Sequence, residues 1–291
     1  MGTYNLSVSF PIKRQLLDLK VVPKLHTMIK LLIINALITI LPIFSMLNRK
    51  GIQIPSPHEN RASLDSIKIK MHPVRILFWN VENLYDPFDD SVTIDEEFTA
   101  TGAKRWTWTR FGLKLNHVAK TLLAAGGWVP PGLACFCEVE NRFVLERLVR
   151  ETPLRAWNWR IIHRDSPDRR GVDVAMLFRP DQVEVFSTRY LHVQFPQDTA
   201  VRTRDILLAG CLLHGCDTLY VAVNHWPSRR GGEALSKSRR NRAATVLRMA
   251  LDSIRLFHPG ASILIMGDFN DEPADESLRH VLGARLSREP V

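Results

Sequence analysis

The sequence predicts an α/β sandwich, in which β-sheets form the middle layers and helices cover them. Short apolar runs bounded by glycine, asparagine or aspartate recur between positions 74 and 266, and such runs are typical of buried strands. A few longer segments with apolar residues at helical spacing lie between these runs. No internal repeat or low-complexity tract interrupts this mixed pattern.

The first half of this region is expected to contain four strands and two helices. The strands are predicted at Val74–Trp79, Leu133–Cys137, Trp157–His163 and Val172–Phe178. Phe111–Ala125 has apolar residues at helical spacing and is followed by two glycines, which predicts a helix that ends there. A second, shorter helix is predicted at Phe143–Arg150.

The second half is expected to contain four more strands and a long helix. A strand at Val183–Phe186 is followed by a predicted hairpin of Leu207–Leu213 and Thr218–Val223. Ser236–Phe257 predicts the long helix, and Ser262–Met266 predicts the strand after it. A last short helix is predicted at 275–282.

The N-terminal 50 residues differ from the rest in charge. They carry +6 of the net +9, so the remaining 241 residues carry only +3. This small excess gives little support for a footprint on a long nucleic-acid duplex. The segment Leu31–Leu47 has 17 residues without a charge, near the lower limit for crossing a bilayer. A signal peptide that starts at Met28, a membrane anchor and a buried helix are the open alternatives.

The composition predicts three parts along the chain. Residues 1–47 form a basic segment with a signal peptide or membrane anchor, residues 48–73 a polar, proline-containing linker, and residues 74–291 the domain. Basic residues before the apolar segment favour a cytoplasmic N-terminus. The domain is therefore expected outside the cytoplasm, secreted or anchored to the membrane through residues 31–47.

The four cysteines are expected to be buried thiols. Their number and spacing match neither a disulfide framework nor a zinc-binding pattern. These residues are Cys135, Cys137, Cys211 and Cys216.

Four predicted strands end in side chains suited to phosphate or metal binding. These strand ends carry Asn80, Glu138, Asn224-His225 and Asp268-x-Asn270, and an apolar run precedes each of them. Residues two apart at a strand end point the same way, so the last two can converge on one small ligand. The set suits Mg²⁺-assisted phosphoester hydrolysis, because Mg²⁺ prefers oxygen ligands and binds through one or two carboxylates plus substrate phosphate.

The motifs around these residues resemble those of the endonuclease/exonuclease/phosphatase superfamily, which has the deoxyribonuclease I fold. The resemblance runs from about Val74 to the C-terminus and implies a four-layer α/β/β/α sandwich. It rests on five motifs: Phe78-Trp79-Asn80-Val81-Glu82-Asn83, Glu138-Val139-Glu140-Asn141, Gly171-Val172-Asp173-Val174-Ala175, Asn224-His225-Trp226-Pro227-Ser228-Arg229 and Gly267-Asp268-Phe269-Asn270-Asp271-Glu272-Pro273.

The resemblance implies a role for each residue of the set. Glu138 would be the main ligand of Mg²⁺, or of Mn²⁺ in its place, and Asn80 would help to hold the metal and phosphate. His225 would hydrogen-bond the phosphate and stabilise the pentacovalent transition state. Asp268 would orient or deprotonate the attacking water, and Asn270 would fix the phosphate.

Four more residues are placed beside the site with less defined roles. Asn224 and Arg229 are expected to bind substrate, Arg229 because a guanidinium group suits bidentate binding of phosphate. Glu82 and Asp173 either support the site or have ordinary surface and structural roles.

The C-terminal part departs from the family pattern. Family members carry further strands and an Asp-His pair there, whereas the only histidine after Asn270 is His280, which Arg279 precedes. We expect His280 to be a surface residue. The resemblance therefore implies a domain without its last strands and with weak activity or none, unless a second chain completes it.

The predicted function is that of a Mg²⁺-dependent phosphoester hydrolase. A phosphodiesterase or nuclease is favoured, acting as a monomer on nucleic acid, a nucleotide or a lipid phosphodiester. A phosphomonoesterase with the same site is an alternative. The non-enzymatic alternative is an inactive, membrane-tethered remnant or binding protein with this fold.

Overall fold

A computed structural model describes residues 6–7, 73–213, 217–229 and 232–286. All of them belong to one unit of the chain, Met1–Ser9 with His72–Val291. The predicted signal peptide or anchor at residues 31–47 and the linker up to residue 72 lie outside the described residues. Among those that are described, no helix has the length and apolar character needed to cross a membrane.

The described residues contain ten strands and three α-helices. The strands are β1 (Leu6–Ser7), β2 (Ile76–Leu84), β3 (Leu133–Val139), β4 (Arg160–His163), β5 (Asp173–Phe178), β6 (Val183–Leu191), β7 (Ile206–Leu213), β8 (Asp217–His225), β9 (Ser262–Asp268) and β10 (Arg285–Leu286). The α-helices are α1 (Trp108–Ala125), α2 (Arg142–Glu151) and α3 (Glu233–Phe257). Two short 3-10 helices, Glu96–Phe98 and Pro153–Ala156, and a π-helix, Ser277–Leu282, complete the set.

Eight strands form two four-stranded sheets. The strand orders are β2-β3-β5-β4 and β6-β7-β8-β9, while β1 and β10 form a separate antiparallel pair. The pairs β2/β3 and β8/β9 are parallel, and the other neighbours are antiparallel. Each parallel pair brings two carboxyl ends together at one edge of its sheet.

Three apolar clusters define the layers. One lies between the two sheets and contains Cys135 of the first and Val221 of the second. A second cluster packs α1 and α2 on the first sheet, and a third packs α3 and the π-helix on the second sheet. The predicted α/β/β/α sandwich is therefore confirmed, because each sheet buries one face on its partner and the other under helices.

The predicted elements are confirmed except in four places. The strand β2 continues through Asn80 to Leu84, beyond the predicted end at Trp79, with a break in its pairing after Asn80. Trp157 ends a 3-10 turn rather than starting a strand, because the side chain of Thr152 caps that turn. The strand β6 continues to Leu191, beyond the predicted end at Phe186. This extension contains polar residues and so lacks the apolar pattern of a buried strand. β6 can expose them because it lies at the edge of its sheet. The last predicted helix is the π-helix that begins at Ser277.

Candidate active site

The inner faces of the two sheets end in polar residues. Successive residues of a strand face opposite sides, so every second residue belongs to the same face. Three polar residues lie next along the rows of side chains that pack between the sheets: Asn80 after Phe78, His225 after Val223, and Asp268 after Met266. The apolar layer between the sheets therefore leads directly into a polar cluster at its rim.

Glu138 joins this cluster through a break in β3. The pairing of β2 with β3 slips after Asn80 and Cys137, and Glu138 has a left-handed φ of 63°. Regular alternation would place Glu138 on the helix-covered face with Phe136, but Val139 packs there instead. The left-handed backbone thus allows the Glu138 carboxylate to reach Asn80.

Asn80 links the two carboxylates of the cluster. Its Nδ2 donates to Oε1 of Glu138 at 3.3 Å and to Oδ2 of Asp268 at 3.0 Å. Its Oδ1 accepts from the backbone N–H of Glu82 at 2.9 Å, which fixes the orientation of the amide. Because Asn80 and Asp268 belong to different sheets, this amide also ties the two sheets together at the rim.

The other oxygen of each carboxylate accepts a backbone hydrogen bond. Asn83 donates to Oε2 of Glu138 at 2.9 Å, and Asn270 donates to Oδ1 of Asp268 at 3.0 Å. Asn83 and Asn270 have left-handed φ values of 64° and 52°. Asparagine adopts this conformation more readily than most residues, so both turns direct their N–H groups at the carboxylates with little steric cost.

His225 is buried beside Glu138. Its Nε2 lies 3.8 Å from Oε1 of Glu138, and its Nδ1 has no hydrogen-bond partner. Burial lowers the pKa of His225 well below its ordinary value, and the charges of Arg204 and Arg170 lower it further. The imidazole is therefore neutral at pH 7, with one N–H available to donate.

Acidification is expected to destabilise the protein through His225. Because its pKa is lowered on folding from the ordinary 6.5, the unfolded chain takes up a proton first as the pH falls. The contribution of His225 to the free energy of unfolding should then decrease below about pH 6.5, by up to about 1.4 kcal/mol per pH unit, while Glu140, whose pKa burial raises to about 9, contributes in the opposite direction. Urea unfolding with a chelator, measured across this range, checks the slope.

Two variants separate His225 from other titrating groups. Compared with the parent, His225→Gln should lose less stability, or gain more, as the pH falls below 6.5, whereas His117→Gln, which changes an exposed residue, should keep the parental pH dependence. Equal slopes in the parent and His225→Gln would contradict the assignment.

A buried ion pair that no local sequence pattern predicts lies behind the site. Arg204 pairs with Asp168 at 3.0 Å, and both side chains are only 6% exposed. Arg204 also donates to the carbonyl of Trp226, which accepts from Nδ2 of Asn270 as well. The pair thus supports the segment that carries His225 and Asn270. A single arginine in the loop before β7 gives no sequence signal, because its partner lies 36 positions away.

The predicted substrate contact of Asn224 is corrected by the structure. Asn224 is fully buried, and its amide bonds to the carbonyls of Ala222 and Met266 and to Nε1 of Trp226. The reason is strand alternation: adjacent residues face opposite sides, so Asn224 points away from the face that holds His225. It fastens the end of β8 to β9.

Arg229 is bound to the loop that follows β9. Its Nε donates to the carbonyl of Asn270 at 3.2 Å, and its Nη2 pairs with Asp275 at 2.8 Å. The side chain is 46% exposed. Its contact with substrate stays a prediction.

The remaining predicted residues divide between the site and its surroundings. Glu82 contributes its backbone N–H, while the residue itself is exposed. Asp173 pairs with His163 instead of joining the cluster around Asn80. His280 is exposed, as predicted. Three thiols are buried and free as predicted, those of Cys135, Cys137 and Cys211. Cys216 lies outside the described residues.

Gly267 allows β8 and β9 to approach each other at the site. A Cβ added there would lie 2.4 Å from the carbonyl oxygen of Asn224 and 2.6 Å from its Cβ. We expect Gly267→Ala to lower the free energy of unfolding by about 1–3 kcal/mol through this overlap. Urea unfolding measures the change.

The matched control is Gly112→Ala. A Cβ at Gly112, inside α1, meets no atom within 4 Å, so this change should stabilise the helix by about 0.5–1 kcal/mol. A Gly267→Ala protein as stable as the parent would contradict the close approach.

The chain aligns with several solved structures at low sequence identity. It aligns with the human Nocturnin catalytic domain with bound sulfate at 18% identity and a TM-score of 0.49, over 72% of this chain and 68% of the other. The D. rerio TDP2 complex with single-strand DNA product aligns at 17% identity and a TM-score of 0.44, over 71% of this chain and 63% of the other. ANGEL2, a 2',3'-cyclic phosphatase, aligns at 17% identity and a TM-score of 0.47, over 71% of this chain and 55% of the other.

Comparison with protein families gives the assignment. No curated protein sequence matches the chain. The family described as the Endonuclease/Exonuclease/phosphatase family matches residues 75–290, which include both sheets and every residue of the polar cluster. The chain therefore belongs to the endonuclease/exonuclease/phosphatase family.

Proposed function

We propose that this protein is a Mg²⁺-dependent hydrolase of phosphodiester bonds. One observation carries the proposal: Glu138, Asn80 and Asp268, from three strands and both sheets, meet through one amide group with His225 beside them. Family membership supports phosphoester hydrolysis in general. The choice of metal and of a diester substrate is our inference from the side chains.

The residues of the cluster fit Mg²⁺. In the part of the chain that the structure describes, no lysine or arginine forms an ion pair with Glu138 or Asp268, and Glu138 is 15% exposed. Glu138 would hold the ion, with Asn80 beside it, in the one-carboxylate arrangement that Mg²⁺ uses with a phosphate substrate. When bound, Mg²⁺ or Mn²⁺ supplies positive charge that offsets the charge growing on the phosphoryl oxygens.

The protein's own groups would perform the proton transfer and the positioning. Asp268 is held by Asn80 and by the backbone of Asn270, so its carboxylate is oriented to align an attacking water and accept its proton. Neutral His225 would donate its N–H to a phosphate oxygen in the transition state.

Hydrolysis of a chromogenic phosphodiester tests the proposal. We expect the protein to hydrolyse bis(p-nitrophenyl) phosphate with Mg²⁺, to stop with a chelator, and to recover when Mg²⁺ is restored. Faster turnover of p-nitrophenyl phosphate would instead favour a monoesterase. Absence of turnover in a folded protein that still binds Mg²⁺ would favour the inactive binding protein.

We also propose that residues 31–47 direct the domain out of the cytoplasm. The support is the uncharged stretch itself and the basic residues before it. Fractionation of cells that express the full chain, compared with a chain lacking residues 1–47, tests this. Equal distribution of the two chains would contradict it.

A further inference from the structure

Asp173 belongs to one of the five motifs but has no role in the polar cluster. It begins β5, and His163 ends the neighbouring strand β4, where it is paired with Ala175. Paired residues share a face, and Asp173 lies two residues from Ala175. His163 and Asp173 are therefore diagonal neighbours on one face of the sheet.

These two buried side chains form a small cluster with the exposed side chain of Asp165. Nε2 of His163 lies 3.6 Å from Oδ2 of Asp173, and Nδ1 lies 3.8 Å from Oδ1 of Asp165. One ligand atom of each residue lies within 4.8 Å of the other two. The side chains of His163 and Asp173 are only 2% and 4% exposed, whereas that of Asp165 is 83% exposed.

Polar atoms in this group lack the partners that buried atoms normally have. Nε2 of His163 faces Asp173 but makes no hydrogen bond, and Oγ of Ser166 is also buried without one. The backbone N–H of Ser166 donates to Oδ1 of Asp173, so Oδ2 is the oxygen that faces His163. An unpartnered buried polar group costs about 1–3 kcal/mol, which a bound cation would offset.

Nε2 of His163 and Oδ2 of Asp173, 3.6 Å apart, have the separation expected for two ligands of one transition-metal ion, whereas Asp165 faces the other ring nitrogen and would have to turn to become the third. Nitrogen and oxygen ligands lie about 2.0–2.2 Å from Zn²⁺, so two ligands in a tetrahedral arrangement are roughly 3.3–3.6 Å apart. Asp165 is exposed and free to turn toward the ion. A site with one imidazole also differs from the oxygen-lined cluster at Glu138, because imidazole selects metals such as Zn²⁺ over Mg²⁺.

We propose that His163, Asp173 and Asp165 form a second metal site, which binds Zn²⁺ or a similar transition-metal ion. It is separate from the Mg²⁺ ligands proposed above and does not depend on the protein being an active hydrolase. Bound metal would join the ends of β4 and β5 to the loop that follows β4.

Zn²⁺ titration of the full chain by calorimetry, in excess Mg²⁺, tests this site. We expect one Zn²⁺ per chain, at least about 10-fold weaker binding in His163→Gln, and parental binding in His117→Gln, the exposed control. Zn²⁺ should also raise the Tm of the parent but not that of His163→Gln.

Three results would overturn the proposal. The first is that the parent binds no Zn²⁺ in the presence of Mg²⁺. The second is that the parent and His163→Gln bind Zn²⁺ equally, and the third is that Glu138→Gln loses Zn²⁺ binding. If His163→Gln does not fold, Asp165→Asn replaces it, because a change at an exposed side chain leaves the core intact. That variant should also bind Zn²⁺ more weakly, and unchanged affinity would count against the site.

Discussion

Replacing Asp268 with asparagine is expected to slow phosphodiester hydrolysis by about 10²- to 10⁴-fold, the usual contribution of a positioned base. Asparagine keeps the size of the side chain but cannot accept the proton of the attacking water. Mg²⁺ binding should change little, because Glu138 is the proposed ligand. The kcat at saturating Mg²⁺ measures the first effect, and calorimetry measures the second.

Asp252→Asn is the matched control for this prediction. Asp252 lies on the surface of α3, where it pairs with Arg248 and is 52% exposed. Parental activity is expected for this variant. If Asp268→Asn keeps the kcat of the parent, Asp268 is not the base.

Replacing Glu138 with glutamine is expected to weaken Mg²⁺ binding. Changes to groups that only orient metal ligands cost about 10- to 100-fold in affinity, so loss of the ligand itself should cost at least as much. The rate of turnover at low Mg²⁺ should fall by the same factor as the Mg²⁺ affinity. Calorimetric titration with Mg²⁺ and the Mg²⁺ dependence of the rate check both effects.

The stability of Glu138→Gln distinguishes lost binding from misfolding. Glu138 and Asp268 share one amide donor, so removal of one charge relieves repulsion between them when no cation is bound. The free energy of unfolding in a chelator should therefore equal or exceed that of the parent. Glu146→Gln, on the surface of α2, is the control for a neutralised glutamate. Unchanged Mg²⁺ affinity in Glu138→Gln would rule out Glu138 as the main ligand.

Strand ends were the part of the site that sequence could predict. An apolar run followed by a polar residue marks the place where a buried strand reaches the site: β9 ends at Asp268, and the regular pairing of β2 with β3 breaks at Asn80 and Glu138. Local patterns could also locate α1, because Thr107 caps its first turn and Gly126 follows its last residue.

The direction of each side chain was harder to predict. Asn224 and His225 are adjacent at the end of β8, and only the packing of the sheets shows which of them faces the site. At Glu138 simple alternation gives the wrong face, because one left-handed residue interrupts the strand. The Arg204–Asp168 pair depends on contacts between distant loops, which no local pattern encodes.

The left-handed backbone at Glu138 has a consequence for the engineering of this protein. Glycine adopts that conformation without steric cost, so Glu138→Gly would remove strain of roughly 1–2 kcal/mol along with the metal ligand. The same change removes the hydrogen bonds that the Glu138 carboxylate accepts from Asn80 and Asn83, so relief of strain and loss of bonds oppose each other at this residue. Stability therefore does not report on the site, and directed evolution of this scaffold has to select for turnover as well.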